Sequence, residues 1–102
     1  MTTRNQWIYI KAIGRLDNFT FETLAHRLRT LVQMGNKNIV IDLSNVDYIN
    51  IASIRLLVSI AKKLKNNDGE LQLLGSNNKV LSLVEFFGKK YITFQTHLNE
   101  SN

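Results

Sequence analysis

The sequence contains no cysteine, which excludes disulfide bonds and thiolate metal sites. It also has no apolar run close to the roughly 18 residues that a helix needs to cross a bilayer, so membrane insertion is not expected. The first ten residues, MTTRNQWIYI, lack the long apolar stretch and the small-residue cleavage site of a secretory signal. These absences make the cytoplasm the default location.

Side chains suited to catalysis are scarce as well. The two histidines, His26 on the outer face of a predicted helix and His97 in a polar tail, are expected to be solvated. The H-x-x-x-H, G-x-x-x-x-G-K and G-x-S-x-G motifs are absent. Asp17, Asp42 and Asp47 could approach one another at one end of a sheet, although a capping or turn role explains each of them better. We therefore expect no enzyme activity, no catalytic residue, no cofactor and no metal.

What the sequence does contain fits one globular domain over residues 1–102, with an ordered core at about 6–95 and short polar tails. Its 102 residues, 44% of them apolar and 21% charged, are enough for a single core. Four strand patterns alternate with three helical ones. The strand patterns are WIYIKAI, which ends at Gly14, then NIVIDL, ELQLL and YITFQT. The helices between them run from about Thr20 to Met34, from about Ser53 to Lys65, and from a cap at Ser76 or Asn77 to Gly88. This alternation predicts an α/β domain whose mostly parallel four-stranded sheet is joined by three crossover helices.

Apolar spacing also predicts which side chains form the core. The predicted inner stripes are Phe21, Leu24, Leu28 and Leu31 in the first helix, Ile54, Leu57, Ala61 and Leu64 in the second, and Val80, Leu83, Val84 and Phe87 in the third. NIVIDL is nearly continuous in apolar residues, which is typical of a strand covered on both faces. Trp7 and Tyr9 are expected to be buried in the first strand.

Basic residues outnumber acidic ones by 13 to 8, and a net charge of +5 permits an acidic partner without requiring one. The basic clusters are Lys62, Lys63 and Lys65, Lys89 and Lys90, with Arg27, Arg29 and Lys37 besides. They are scattered over three helices, where lysines usually form a solvated face, and the nearby aromatic residues are expected to be buried. Nucleic acid is therefore an unlikely partner.

Two segments of the sequence stand out, GRLD at 14–17 and IVIDLSNVDYINIASIRLLVSIAKKLKNNDGELQLLGSNNKVLSLVEFFG. Together they resemble a known family, the STAS domains, which include the anti-sigma-factor antagonists of bacteria. The family pattern runs G-x-L-D, an apolar strand with D-L-S, D-S-S-G at a helix start, a glycine before a strand, and a helix that ends near F-x-G. The resemblance covers nearly the whole chain and places Gly14 and Asp17 on G-x-L-D, and Asp42, Leu43 and Ser44 on D-L-S.

The resemblance implies a binding function controlled by phosphate. In the family, the second serine of D-S-S-G accepts a phosphate from a partner, typically an anti-sigma factor that is also a serine kinase. The dephosphorylated domain binds this partner and so releases the sigma factor, whereas the phosphate breaks the complex. The residues around the acceptor form the contact surface together with the aspartate of G-x-L-D.

This sequence departs from the family at the D-S-S-G motif. An alignment without gaps places Asn50 on the aspartate, Ile51 on the first serine, Ala52 on the acceptor serine and Ser53 on the glycine. Alanine carries no nucleophile. A shift of one residue would make Ser53 the acceptor, but it requires an insertion that the apolar spacing does not suggest. A structural role is also open, with Asn50 as a helix cap and Ser53 bonding its own backbone.

The leading hypothesis is a non-enzymatic interaction domain that docks on an anti-sigma factor or serine kinase-type regulator, without the usual serine phosphorylation. The expected partner-binding residues are Asp17, Asn50, Ile51, Ala52, Ser53 and Arg55. An alternative is an accessory subunit of a lipid-transport ABC complex, which would pack on the ATPase subunit of the transporter and need no phosphorylation.

Overall fold

The computed structural model describes residues 6–75 and 78–95, and in this part of the chain strands and helices alternate as predicted. The elements are β1 (Trp7–Leu16), α1 (Phe21–Gln33), β2 (Asn38–Ile49), α2 (Ile51–Asn66), β3 (Glu70–Leu74), α3 (Asn78–Gly88) and β4 (Ile92–Gln95). The predicted α/β class, with three helices and a four-stranded sheet, is confirmed. The proposed third-helix caps Ser76 and Asn77, and His97, lie outside the described residues.

The four strands lie side by side in chain order, and each neighbouring pair is parallel. Right-handed crossovers that always advance in one direction place all three helices on the same face of the sheet. Burial agrees with this arrangement, since Ile39 and Ile41 of β2 have no exposed surface while Val40 between them is only half-buried. The other face of the sheet is therefore open.

The open face corrects two predictions about the strands. Trp7 and Tyr9 are 40% and 50% exposed rather than buried, because they point away from the helices. The start of β2 is likewise not covered on both faces, as Val40 shows. A continuous apolar run cannot distinguish a strand buried on both faces from one that is buried on a single face.

β1 and β2 both extend further than predicted. β1 passes through Gly14 to Leu16, and β2 continues to Ile49, whereas β2 pairs with β3 only as far as Asp42. Beyond that point the two strands form a two-stranded ribbon. Its register shifts near Gly14, whose φ of 86° is a left-handed conformation that other residues rarely adopt. The ribbon carries the ends of both strands away from the rest of the sheet.

The helices pack as their apolar stripes predict in two cases out of three. In α1, Leu24 and Leu28 are buried and Phe21 and Leu31 pack against the core, while His26 is exposed. The stripe predicted for α2 is entirely buried. Within the described residues no helix is long and apolar enough to cross a membrane.

The prediction for α3 is wrong at two positions. Leu83 and Phe87 are 41% and 48% exposed, and the buried stripe consists instead of Val80, Leu81, Val84 and Gly88. A Cβ atom at Gly88 would lie 2.8 Å from the Cδ1 atom of Ile92, so the helix approaches β4 closely at the glycine. Apolar side chains surround most of this helix, and their spacing alone could not select the inner face.

Candidate functional site

The residues aligned with the D-S-S-G motif lie where the ribbon ends and α2 begins. Leu16 pairs with Ile49 at the end of the ribbon, and the backbone N–H of Asn50 then donates to the Leu16 carbonyl oxygen at 2.9 Å. α2 starts at Ile51. We call residues 50–55 the tip. It is held at a fixed position because both strands that support it are paired up to their last residues.

Asn50 is the N-cap of α2. Its backbone is extended, with φ −95° and ψ 171°, and its Oδ1 atom accepts from the backbone N–H of Ser53 at 2.9 Å. Its Nδ2 atom donates to Oδ1 of Asn18 at 3.0 Å. One amide side chain thus closes the helix start and ties it to the loop before α1.

The two candidate acceptor positions differ in accessibility. Ala52 is exposed on the first turn of α2, whereas Ser53 has no exposed surface and its Oγ atom lies 3.5 Å from the Leu16 carbonyl oxygen. A hydroxyl with no exposed surface cannot enter the active site of a second protein in this conformation. The geometry therefore speaks against Ser53 as the acceptor, and the alignment without gaps stays a prediction.

Asp17 organises the loop that precedes α1. Its Oδ1 atom accepts from the backbone N–H groups of Phe19, at 2.9 Å, and of Thr20, at 3.2 Å, and its Oδ2 atom lies 3.3 Å from Nε of Arg15. The two backbone hydrogen bonds are the main reason that the pKa of Asp17 is lowered, and Arg15 adds a smaller effect. Because the neighbouring Asn18 bonds Asn50, this loop and the tip form one surface.

Arg55 lies one helical turn after Ile51, and both side chains are exposed. The six residues expected to bind a partner thus fall into three positions. Asp17 belongs to the adjoining loop, the residues from Asn50 to Ser53 form the helix start, and Arg55 extends the surface along α2. Ser53 supports this surface from below and is not available for contact.

The sequence reasoning missed Phe19, which is 91% exposed and directly follows the Asn18 that bonds Asn50. It also missed Arg15, whose guanidinium lies 4.3 Å from the centre of the Tyr48 ring on the ribbon. A signal for Phe19 was present in the sequence. It is a large apolar residue in a polar stretch, DNFT, outside the apolar period of α1.

Asp42, in the D-L-S segment, lies away from the tip and is 6% exposed. Burial acts to raise its pKa, but hydrogen bonds from the Tyr9 hydroxyl at 2.6 Å and the Ser44 N–H at 2.9 Å outweigh it, so the pKa is lowered overall. The structure does not bring Asp17, Asp42 and Asp47 together into the cluster that the sequence left open beside their capping and turn roles. Asp47 lies five residues along β2 from Asp42, about 16 Å for an extended strand, and no cluster of three or more potential metal ligands exists in the described ranges.

The tip is suited to contact rather than to reaction. Its exposed side chains at the helix start, Ile51 and Ala52, are apolar, and the first turn of α2 has no acidic residue to offset the partial positive charge of the helix N-terminus. A partner could bury the apolar groups and place a negative group at the helix end.

Comparisons with known proteins identify the family of the chain. The family model for the STAS domain matches residues 1–101. An anti-sigma-B factor antagonist of Staphylococcus aureus (strain NCTC 8325 / PS 47) is 33% identical over 99 residues, which are 97% of this chain and 89% of that protein. An anti-sigma-B factor antagonist of Staphylococcus epidermidis is 30% identical over 98 residues, covering 96% of this chain and 88% of that one.

Solved structures share the fold at lower sequence identity. The anti-sigma factor antagonist SpoIIAA in its unphosphorylated form matches with a TM-score of 0.76 at 15% identity, covering 98% of this chain and 87% of that one. The STAS domain of a SulP transporter from Vibrio cholerae matches with a TM-score of 0.64 at 14% identity, covering 93% and 77%. Since a family model covers nearly the whole sequence and the relatives are at least 30% identical along most of their length, the chain belongs to the STAS domain family.

Proposed function

We propose that this protein is a non-enzymatic interaction domain of the anti-sigma-factor-antagonist type, which binds an anti-sigma factor or serine kinase-type regulator through the tip. We further propose that phosphorylation of the tip does not control this binding. The single observation that carries the proposal is Ala52, an exposed side chain without a nucleophile at the position that the alignment without gaps gives to the acceptor serine.

The relatives support the general function. The Staphylococcus proteins named as anti-sigma-B factor antagonists align with this chain along nearly their whole length. The cap and the loop that shape the tip are both present here, in the bonds from Asn50 to Ser53 and to Asn18.

The exposed side chains around the tip support a role in binding. Ile51 is 44% and Phe19 is 91% exposed, and they adjoin the Asn50–Asn18 hydrogen bond on its two sides. Large apolar groups at an exposed junction gain free energy when a partner removes them from water. Asp17 adds a negative charge beside this apolar surface, which favours a basic group on the partner.

Without an acceptor at position 52, no negative charge can be added at the centre of the contact. In the family, that charge breaks the complex. Binding by this chain is therefore constitutive, or it is regulated by the amount of protein or by changes in the partner.

Affinity purification from the native cell, followed by mass spectrometry, tests the proposal. The wild-type protein should recover an ATPase of the kinase type, and Ile51→Asp should lose it. Met34→Asp is the matched control, because Met34 is an apolar residue, 72% exposed, at the opposite end of α1. Recovery of a transporter ATPase would support the ABC accessory subunit instead, and enrichment of nucleic acid alone would contradict both functions.

A further inference from the structure

A groove of about 480 Å³ runs between α2 and α3, on the side of the domain where the α3 prediction failed. It is lined by Ile54, Arg55, Val58, Ser59, Lys62, Lys63, Asn66 and Phe87. Phe87 was expected in the core but forms part of this lining. The groove therefore exists because α3 turns Val80 and Val84 inward and leaves its aromatic residues outside.

The groove combines an apolar floor with a basic wall. Ile54, Val58 and Phe87 contribute the apolar surface, and next to Phe87 the ring of Phe86 is 82% exposed at a centroid distance of 5.1 Å. Three cations, Arg55, Lys62 and Lys63, stand along the α2 side. None of them has a carboxylate within 4.0 Å in the described part of the chain, and no acidic residue is among those that line the groove.

The groove has the dimensions of a short helix. Its α2 side extends from Ile54 to Asn66, thirteen residues that span about 18 Å at 1.5 Å per residue, which is about three helical turns. One of its cations is also held in place, since the Lys62 ammonium lies 4.9 Å from the centre of the Tyr91 ring. An elongated apolar floor with cations along one side matches an amphipathic helix that carries acidic residues beside its apolar stripe.

We propose that the groove between α2 and α3 binds an acidic amphipathic helix of a partner protein. Charge complementarity selects this occupant, because the uncompensated cations of α2 attract glutamate and aspartate and disfavour a basic helix. Apolar residues of the same helix, spaced three and four apart, contact Val58 and Phe87. The proposal does not rest on the function proposed for the tip, with which the groove shares Ile54 and Arg55.

A labelled synthetic peptide tests the groove directly. The probe is an acidic amphipathic peptide of about four turns, with leucines spaced three and four apart and glutamates beside them. Binding to the full chain is measured by fluorescence anisotropy, and peptide helicity by circular dichroism. We expect one-to-one binding with a gain in helicity, at least ten-fold weaker binding to Lys63→Glu, and unchanged binding to Ile51→Asp.

Arg29→Glu is the matched control, because it makes the same change of charge at an exposed site on the outer face of α1. If Arg29→Glu and Lys63→Glu weakened peptide binding equally, the loss of binding would follow from the net charge of the protein and the proposal would be overturned. Failure to bind the peptide, or binding to phosphatidylglycerol vesicles in preference to it, would overturn the proposal as well. Phe87→Ala should also weaken peptide binding. If Phe87→Ala lowers the melting temperature of the protein, its loss of binding is ambiguous and the result for Lys63→Glu decides the outcome.

Discussion

The junction before α1 and the junction before α2 lie side by side, yet they are built differently. Before α1, a carboxylate forms the loop, because Asp17 accepts from two backbone N–H groups while Thr20 makes no side-chain cap. Before α2, a neutral amide caps the helix, because Asn50 accepts from Ser53. The hydrogen bond between Asn18 and Asn50 joins the two junctions.

This difference shows that the shape of the tip and its capacity to accept a phosphate depend on different residues. At the first junction Asp17, which the resemblance aligns with the family aspartate, shapes the backbone that carries it. At the second junction the shape depends on the side chain of Asn50 and the backbone N–H of Ser53, and not on the side chain at position 52. Ala52 could therefore replace a serine without disturbing the helix start, although the replacement removes the acceptor.

The largest expected effect comes from a substitution that places a hydroxyl at position 52 of the second junction. A partner kinase with ATP should add no phosphate to the wild-type tip, whereas Ala52→Ser should become a substrate, because position 52 is exposed at the positive N-terminal end of α2, whose first turn has no acidic residue. Intact-mass spectrometry measures this directly. A mass increase that maps to Ser53 of the wild type would show that the alignment is shifted by one residue.

The next effect concerns the contact surface that both junctions share. Ile51→Asp and Arg55→Glu should each weaken partner binding at least ten-fold without unfolding the domain, a loss of about 1.4 kcal/mol. Both residues are exposed, so the fold does not depend on them. Titration calorimetry with the purified partner gives the affinities, with Met34→Asp as the control. Unchanged affinity in both variants would place the interface elsewhere.

The amide cap provides a smaller effect on stability. Asn50→Ala should lower the free energy of unfolding by about 1 kcal/mol, within the usual range of roughly 0.5 to 2, because it removes the cap of α2 and the bond to Asn18. Asn50→Asp keeps an acceptor for the Ser53 N–H and should lose less. Denaturant unfolding measures both variants. Equal losses would mean that the bond to Asn18 matters more than the cap.

The smallest expected effect concerns the carboxylate of Asp42, which is remote from both junctions. The pKa of Asp42 is lowered in the folded protein, so the unfolded state binds its proton more readily, and acid below pH 3.8 removes stability that is present above it. Asp42→Asn should make the loss of stability below pH 3.8 shallower. Urea unfolding at several acidic pH values measures the slope, and an unchanged slope would assign the acid sensitivity to other groups.

Sequence patterns predicted the helices whose apolar residues lie on one side only. In α2, Ile54, Leu57 and Leu64 repeat at helical spacing with polar residues opposite, and all three are buried. α3 lacks a polar side of comparable width, so the spacing of its apolar residues was compatible with two different faces packing against the core. The face was selected by packing of Val84 against the core and by the close approach of Gly88 to Val58 of α2, where an added Cβ atom would lie 3.2 Å from Cγ2, and Val58 is distant in the sequence.

The candidate site was predictable in its position and only partly in its construction. Short motifs indicated Asp17 and Asn50, and the order of the elements placed both at strand-to-helix junctions. The hydrogen bond between Asn18 and Asn50 joins residues 32 positions apart, so no local pattern could reveal it. The exposure of Phe19 likewise depends on how the loop before α1 is held against the tip.

The sequence by itself determined the order of the elements, the parallel α/β class and the absence of a hydroxyl at position 52, because each follows from local spacing or from residue identity. Only the tertiary structure decided that Ser53 is buried and Ala52 exposed, that one face of the sheet is open, and that Phe87 lines a groove. These properties depend on which surfaces meet when the strands pair and the helices pack. Burial is a property of the neighbours that folding brings together, and those neighbours are distant in the chain.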